Sequence, residues 1–221
     1  MRLGPASVDV VYIHDVDAFT HGEGLWQERF KEAMAGCYPA LAELRRSGEI
    51  KAVAVGLNDI EPSLRFAREA ELDGILLAGR YTLLEQGALD ELLPLCRQRD
   101  IGVVIGGPFN SGILVTGPVP GAKHNYRDAP ADVLERVRRV QAVCDRHGVP
   151  MAAAALQFPL GHPAVSSVIP GAMSRAEVLQ NVDWMGLPIP EGLWADLKRE
   201  GLLREDAPTP PDPTTAVRAE P

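Results

Sequence analysis

The sequence predicts an α/β fold built on a parallel sheet. Two observations carry this: five short runs of apolar, largely β-branched residues, and helical patterns in the intervals between them. The runs are 8–13, 52–55, 74–77, 102–105 and 166–169, each bounded by Gly, Pro, Asn or a charged turn. Strands that alternate with helices pair in parallel through right-handed crossovers. The runs are apolar on both faces, as a barrel wall or a doubly wound sheet requires, and periodicity does not separate those two.

Each intervening element has its own grounds. Pro39 opens a helix that carries Leu41 and Leu44 on one side and Glu43, Arg45 and Arg46 on the other, and Gly48 ends it. A second helix runs from Glu61-Pro62 through Leu64, Phe66, Ala67 and Ala70. Leu89, Leu92, Leu93 and Cys96 mark a third, which Pro94 is expected to strain or kink. Val133, Val137, Val140 and Cys144 form a long amphipathic helix that stops at His147-Gly148, and 152–158 reads as a small buried helix. After the last strand, Val178 and Val182 are expected to face inward, with Trp184 beside them.

The 221 residues suffice for one sizeable domain. The net charge is −8 and no stretch concentrates Lys and Arg, which argues against nucleic acid or an anionic membrane as partner. No apolar run reaches the length of a membrane helix, and no signal peptide opens the chain. Cys37, Cys96 and Cys144 have neither metal-site nor disulfide spacing, so a reducing, cytoplasmic setting is expected. Residues 206–221, rich in Pro and Thr, read as a disordered tail behind a domain spanning 1–205.

Candidate chemistry gathers where strands end. Residues just past the carboxyl end of a parallel strand face the ligand side, and the first run ends in His14-Asp15. His14 is read as substrate-facing, a general acid or carbonyl-polarising donor. A metal site with Asp15, Asp17 and His21 lacks further ligands at the other strand ends, so no metal is expected. Gly106-Gly107-Pro108-Phe109-Asn110-Ser111-Gly112 follows the fourth run, where glycines let backbone amides approach a phosphate. Pro170-Gly171-Ala172 follows the fifth, with Ser174 as N-cap of a helix whose start favours an anion. Two such loops after the last two strands match the usual phosphate site of (β/α)₈ barrels. Asn58 is either a ligand-amide contact or a turn residue. Arg80 and Trp26 are candidate substrate contacts, although an aromatic in the long first connection also suits covering apolar surface.

These residues resemble the aldo-keto reductases. Asp9 through His14 is similar to that family's Asp-x-x-x-hydrophobic-His strand, 41–52 to its next helix and strand, and Val168-Ile169-Pro170-Gly171 with Asn181 to its last strand, phosphate loop and helix asparagine. The segments 76–84 and 105–112 look like one branch, the L-fucose (D-threo-aldose 1-) dehydrogenases and pyridoxal 4-dehydrogenases. The resemblance implies a TIM-type (β/α)₈ barrel with five parallel strands present and the first three βα units lacking. It implies an NAD(P)-dependent oxidoreductase acting on a small sugar or aldehyde, with His14 orienting the reacting oxygen and a tyrosine, lysine and aspartate moving the proton.

No segment of this sequence matches those three residues, so a truncated chain, inactive alone and self-associating through open sheet edges, is the expectation. A non-catalytic dinucleotide-binding or interaction module is the alternative. Cofactor contacts are expected from Asn58, Gly107, Pro108, Phe109, Ser111, Gly112, Gly171, Ala172 and Asn181. NAD is favoured over NADP, because Gly171 and Glu177 stand where relatives that prefer NADP carry cations for the 2′-phosphate.

Overall fold

The computed structural model describes residues 7–211. Its strands are β1 (Val10–His14), β2 (Ala52–Leu57), β3 (Gly74–Ala78), β4 (Gly102–Gly106), the short hairpin strands β5 (Lys123–His124) and β6 (Arg127–Asp128), and β7 (Val165–Ile169). The helices are α1 (Ala18–His21), α2 (Trp26–Glu32), α3 (Tyr38–Ser47), α4 (Ile60–Glu69), α5 (Leu92–Gln98), α6 (Ile113–Thr116), α7 (Ala131–Arg146), α8 (Met151–Gln157), α9 (Arg175–Gly186) and α10 (Glu191–Arg199). A π-helical stretch, Ala33–Cys37, joins α2 to α3.

The sheet has five parallel strands in the order β1-β2-β3-β4-β7. Strand order never reverses, whereas a doubly wound sheet reverses at its switch point. Every crossover therefore returns over the same face, as in a barrel wall. On the helix side, Ile13, Val53, Val55, Leu57, Ile75, Leu77, Val103 and Ile105 are buried. The other face carries Val10, Tyr12, His14, Leu76, Val104 and Ile169, which are exposed or half-buried. Two apolar faces with different covers explain why these strands read as continuous rather than alternating.

The helices that cover the sheet follow their sequence signals. Pro39 sits in the first turn of α3, and Gly48, at φ 80°, closes it with its amide on the Arg45 and Leu44 carbonyls. Phe66 and Ala67 of α4 are wholly buried, and Phe66 meets Phe30 edge-on at 4.6 Å. The buried side of α7 comprises Val137, Val140, Val143 and Cys144, and all of α8 but Gln157 is buried.

Three expectations are corrected. Pro94 neither kinks nor strains α5: the helix starts at Leu92, so Pro94 falls in the first turn, where its missing N–H has no helical partner to lose. Val178 and Val182 of α9 face outward, Val182 at 63% exposure, and Asn181 is the buried residue of that helix. Of the segment read as a disordered tail, residues 206–211 pack on the domain. Ala207 is buried, and a Cβ at Gly161 would stand 2.5 Å from the Thr209 carbonyl carbon. Residues 212–221 lie outside the described part, as do 1–6.

Candidate active site

The carboxyl ends of β1, β2, β3, β4 and β7 share one edge of the sheet, and a belt of polar contacts runs across the loops there. It starts at His14, the last residue of β1, whose Nδ1 lies 2.9 Å from Asp15 Oδ1. Asp15 takes a left-handed φ of 59°, and its amide donates to the Gly56 carbonyl at 2.9 Å. The strained residue thus turns its carboxylate back onto the imidazole. That contact orients the ring through Nδ1 and leaves Nε2 turned from Asp15.

Asp17 is the second link, and it is wholly buried. Its Oδ1 caps α1 by accepting from the Thr20 amide at 2.9 Å. Its Oδ2 accepts from the Asn58 amide at 2.6 Å and from Asn58 Nδ2 at 3.1 Å. Burial opposes the charge, but these hydrogen bonds outweigh it and hold the carboxyl below its ordinary range. Asp59 continues the belt: it accepts from the Phe19 amide at 2.7 Å and lies 3.6 Å from Arg80 Nη2. Arg80 Nη1 donates to Asn125 Oδ1 at 3.0 Å, and Ser111 Oγ accepts from the Tyr126 amide at 3.0 Å. The hairpin is thereby tied to the ends of β3 and β4.

Two openings lie along this belt. One is a polar cleft lined by Asn58, Arg80, Asn110 and Ser111, with Phe19 and Tyr126 at its rim. The other is a groove lined by Gly107, Phe109, Ser111, Gly112, Lys123 and Gly171. Gly107, Asn110, Ser111 and Gly112 all have positive φ, from 46° to 92°, so the loop after β4 coils tightly and presents backbone to the groove. Nothing lies within 4 Å of a Cβ placed on Gly112 or Gly171. Such open backbone suits a diphosphate, and the Lys123 ammonium beside it is paired with Asp128 at 2.5 Å.

The sequence-read residues divide accordingly. His14, Asn58, Arg80, Gly107, Ser111 and Gly112 lie along the belt and its openings, and Gly171 reaches the groove from the end of β7. Ala172 is exposed beside it. Asn58 is a turn residue whose N–H groups are spent on Asp17 and Asp15. Pro108 is buried, and Phe109, which lines the groove, turns its ring edge-on to Trp184 at 6.0 Å. Trp26 is corrected to a core residue: it is 5% exposed and packs near the Arg65 guanidinium. Asn181 is buried in α9.

Glu177 has a local explanation. It accepts from the Met173 amide at 2.7 Å, one residue before the N-cap, while Ser174 Oγ accepts from the Glu177 amide at 3.2 Å, so both side chains cap the start of α9. The sequence reading missed the roles of Asp17, Asp59, Lys123 and Tyr126. Asp17 alone carried a signal, an N-cap acid three residues before Thr20. Among the described residues, no group of three or more His, Cys, Asp or Glu is gathered as for a metal ion. No helix there is long and apolar enough to cross a membrane.

Comparison with known proteins agrees with this geometry. Residues 1–199 match the model of the aldo/keto reductase family. The chain is 42% identical over 202 residues to a pyridoxal 4-dehydrogenase of Microbacterium luteolum, covering 91% of this chain and 59% of that protein. It is 40% identical over 210 residues to a D-threo-aldose 1-dehydrogenase of a Pseudomonas species, covering 95% of this chain and 60% of that protein. Among solved structures, an aldo-keto reductase of Bacillus halodurans in its holo form superposes with a TM-score of 0.66 at 19% identity, over 90% of this chain and 62% of that one. The chain thus spans about three fifths of the length of these relatives. The singly wound sheet is the wall of their TIM barrel, and the chain belongs to the aldo/keto reductase family.

Proposed function

We propose that this chain carries the substrate- and cofactor-holding part of an NAD-linked dehydrogenase that oxidises an aldose at C1. One observation carries the reading: the polar cleft, of about 40 Å³, and the glycine groove share Gly107, Ser111 and Tyr126, so a sugar seated over the cleft and a dinucleotide in the groove would meet. Bound NAD would supply the hydride acceptor. His14, held by Asp15, orients the reacting oxygen through Nε2. Arg80 donates to the remaining hydroxyls and Asn58 accepts from them through Oδ1, and the backbone of Gly107, Gly112 and Gly171 receives the diphosphate.

We assign no residue to the family's proton-accepting tyrosine. Tyr81 does not suit it, being wholly buried, with burial pushing its phenol further up. Aldose is favoured over pyridoxal because the cleft is lined by amide, guanidinium and hydroxyl groups.

The test is calorimetric titration of the 221-residue chain with NAD⁺, then with L-fucose, D-arabinose or pyridoxal, alongside an assay for NAD⁺ reduction. NAD⁺ is expected to bind, and His14→Ala to weaken the aldose while sparing the dinucleotide. NAD⁺ binding with no aldose binding selects the dinucleotide-binding module instead. Absence of NAD⁺ binding would remove both readings.

A further inference from the structure

The hairpin β5–β6 turns through Asn125 and Tyr126 at φ 49° and 62°, the two left-handed centres of a type I′ turn. Glycine is favoured at the second centre, and a bulky side chain there is a backbone outlier. Tyr126 gains nothing from the core in exchange, being 77% exposed. Neither turn geometry nor packing accounts for an aromatic at this position, and strain of this kind concentrates where ligands are held.

Its surroundings supply the account. The Tyr126 amide is pinned by Ser111 and the neighbouring Asn125 by Arg80, so the tip is fixed over the sheet edge. Tyr126 borders the polar cleft, the glycine groove and a third opening lined by Phe19, His124 and Arg127. Opposite stands Phe19, exposed in the short helix α1, with its ring centroid 6.1 Å from that of Tyr126 and the planes inclined by 54°. The Arg80 guanidinium lies 5.9 Å from the Phe19 ring. Two aromatic faces above a floor of Asn58, Arg80 and Ser111 suit a ring that is apolar on its C–H face and polar at its rim. The C–H face packs on the aromatics, and the hydroxyls reach the guanidinium, amide and hydroxyl groups.

We propose that Tyr126 is a substrate-holding residue that closes with Phe19 over a polyhydroxylated ring, whose hydroxyls hydrogen-bond Arg80 and Asn58. This rests on the aldose reading above and names the residue that would hold the sugar. It also reverses the usual relation of the residue to stability, because removing the tyrosine should relieve the turn while it loosens the ligand.

The experiment uses the full chain saturated with NAD⁺, as wild type, Tyr126→Gly and Tyr126→Phe. L-Fucose and pyridoxal affinities are read by saturation-transfer NMR, and Tm by calorimetry. Tyr126→Gly is expected to raise Tm by about 2–4 °C and to weaken L-fucose about two- to tenfold. Tyr126→Phe, which keeps the ring, should hold both values near wild type. Unchanged L-fucose affinity in Tyr126→Gly overturns the proposal and leaves the aldose reading standing. A wild type that binds pyridoxal but no L-fucose overturns both.

Discussion

The imidazole of His14 lies against the Cα of Gly56 on the neighbouring strand: a Cβ added there would stand 2.7 Å from Cδ2 and 3.1 Å from Nε2. The two residues are register partners in the β1–β2 ladder. Gly56 therefore makes the room in which the ring lies while Nδ1 meets Asp15. Its backbone is not left-handed, so alanine is tolerated by the chain but not by the ring. Gly56→Ala is expected to swing the imidazole off Asp15 and to reduce turnover or aldose affinity strongly, since misplacement by about 1 Å costs up to ~10²-fold. Imidazole NMR resonances of wild type and variant check the displacement directly.

Asp17 makes local stability depend on acidity. Its folded carboxyl titrates below the ordinary value of 3.8, so its contribution is fully present above that value. It is lost as pH falls through the lower, folded one. Asp17→Asn removes the charge and forces an amide into a site built of donors, at a cost of about 1–3 kcal/mol near neutrality. Thermal melts at stepped pH should show the gap between wild type and variant closing below about pH 4. A gap that stays constant into strong acid would show that the charge is not what stabilises the belt.

Cofactor preference should divide between the two positions at the phosphate loop. Gly171→Lys enters open space and is expected to move preference toward NADP without loss of stability. Glu177→Arg removes an acid and adds a cation, but it also breaks the bond to the Met173 amide. It should shift preference while costing about 1 kcal/mol of helix capping. Paired NAD⁺ and NADP⁺ titrations with melting curves separate the effects, and tighter NADP⁺ binding before any mutation would defeat the argument.

β1 and β7 end the described sheet, with Val10, Tyr12 and Ile169 exposed on or near these strands. Uncovered edges and apolar surface of this kind favour association. Light scattering on the freshly purified 221-residue chain should report oligomers, with Tyr12→Lys plus Ile169→Lys shifting them toward monomer. A stable wild-type monomer with a cooperative melt would mean that the edges are adequately guarded.

Much of the fold was legible because strand and helix are written in local patterns. All five sheet strands fall within two residues of their sequence positions, and Pro39, Gly48 and Gly148 punctuate as expected. What stayed hidden was decided by neighbours. Val178 and Val182 carry an inward-looking spacing, yet which side of α9 is covered depends on the elements beside it. His14 and the glycine loops announced themselves at strand ends, where position alone implies a ligand. Arg80 stood out as a strand-end contact too, but its pairing with Asp59 and that of Asp17 with Asn58 did not, because the partners lie on other strand loops and no local spacing records them. Tyr126 was opaque for the opposite reason: its turn runs against its own propensity.

The strictly sequential strand order also bears on how the chain acquires its shape. β2, β3 and β4 each pair with the sheet strand made just before, so a nascent chain can add them one after another, closing a modest loop each time. The last pairing, Val103 with Val165, must wait for the hairpin, α6, α7 and α8 to emerge. Until then β4 has a bare edge, and the apolar helix face built from Val137, Val140 and Cys144 has an incomplete surface to settle on. Synthesis thus leaves one exposed interval late in the chain, and that interval is where a holdase would find its longest opportunity to bind.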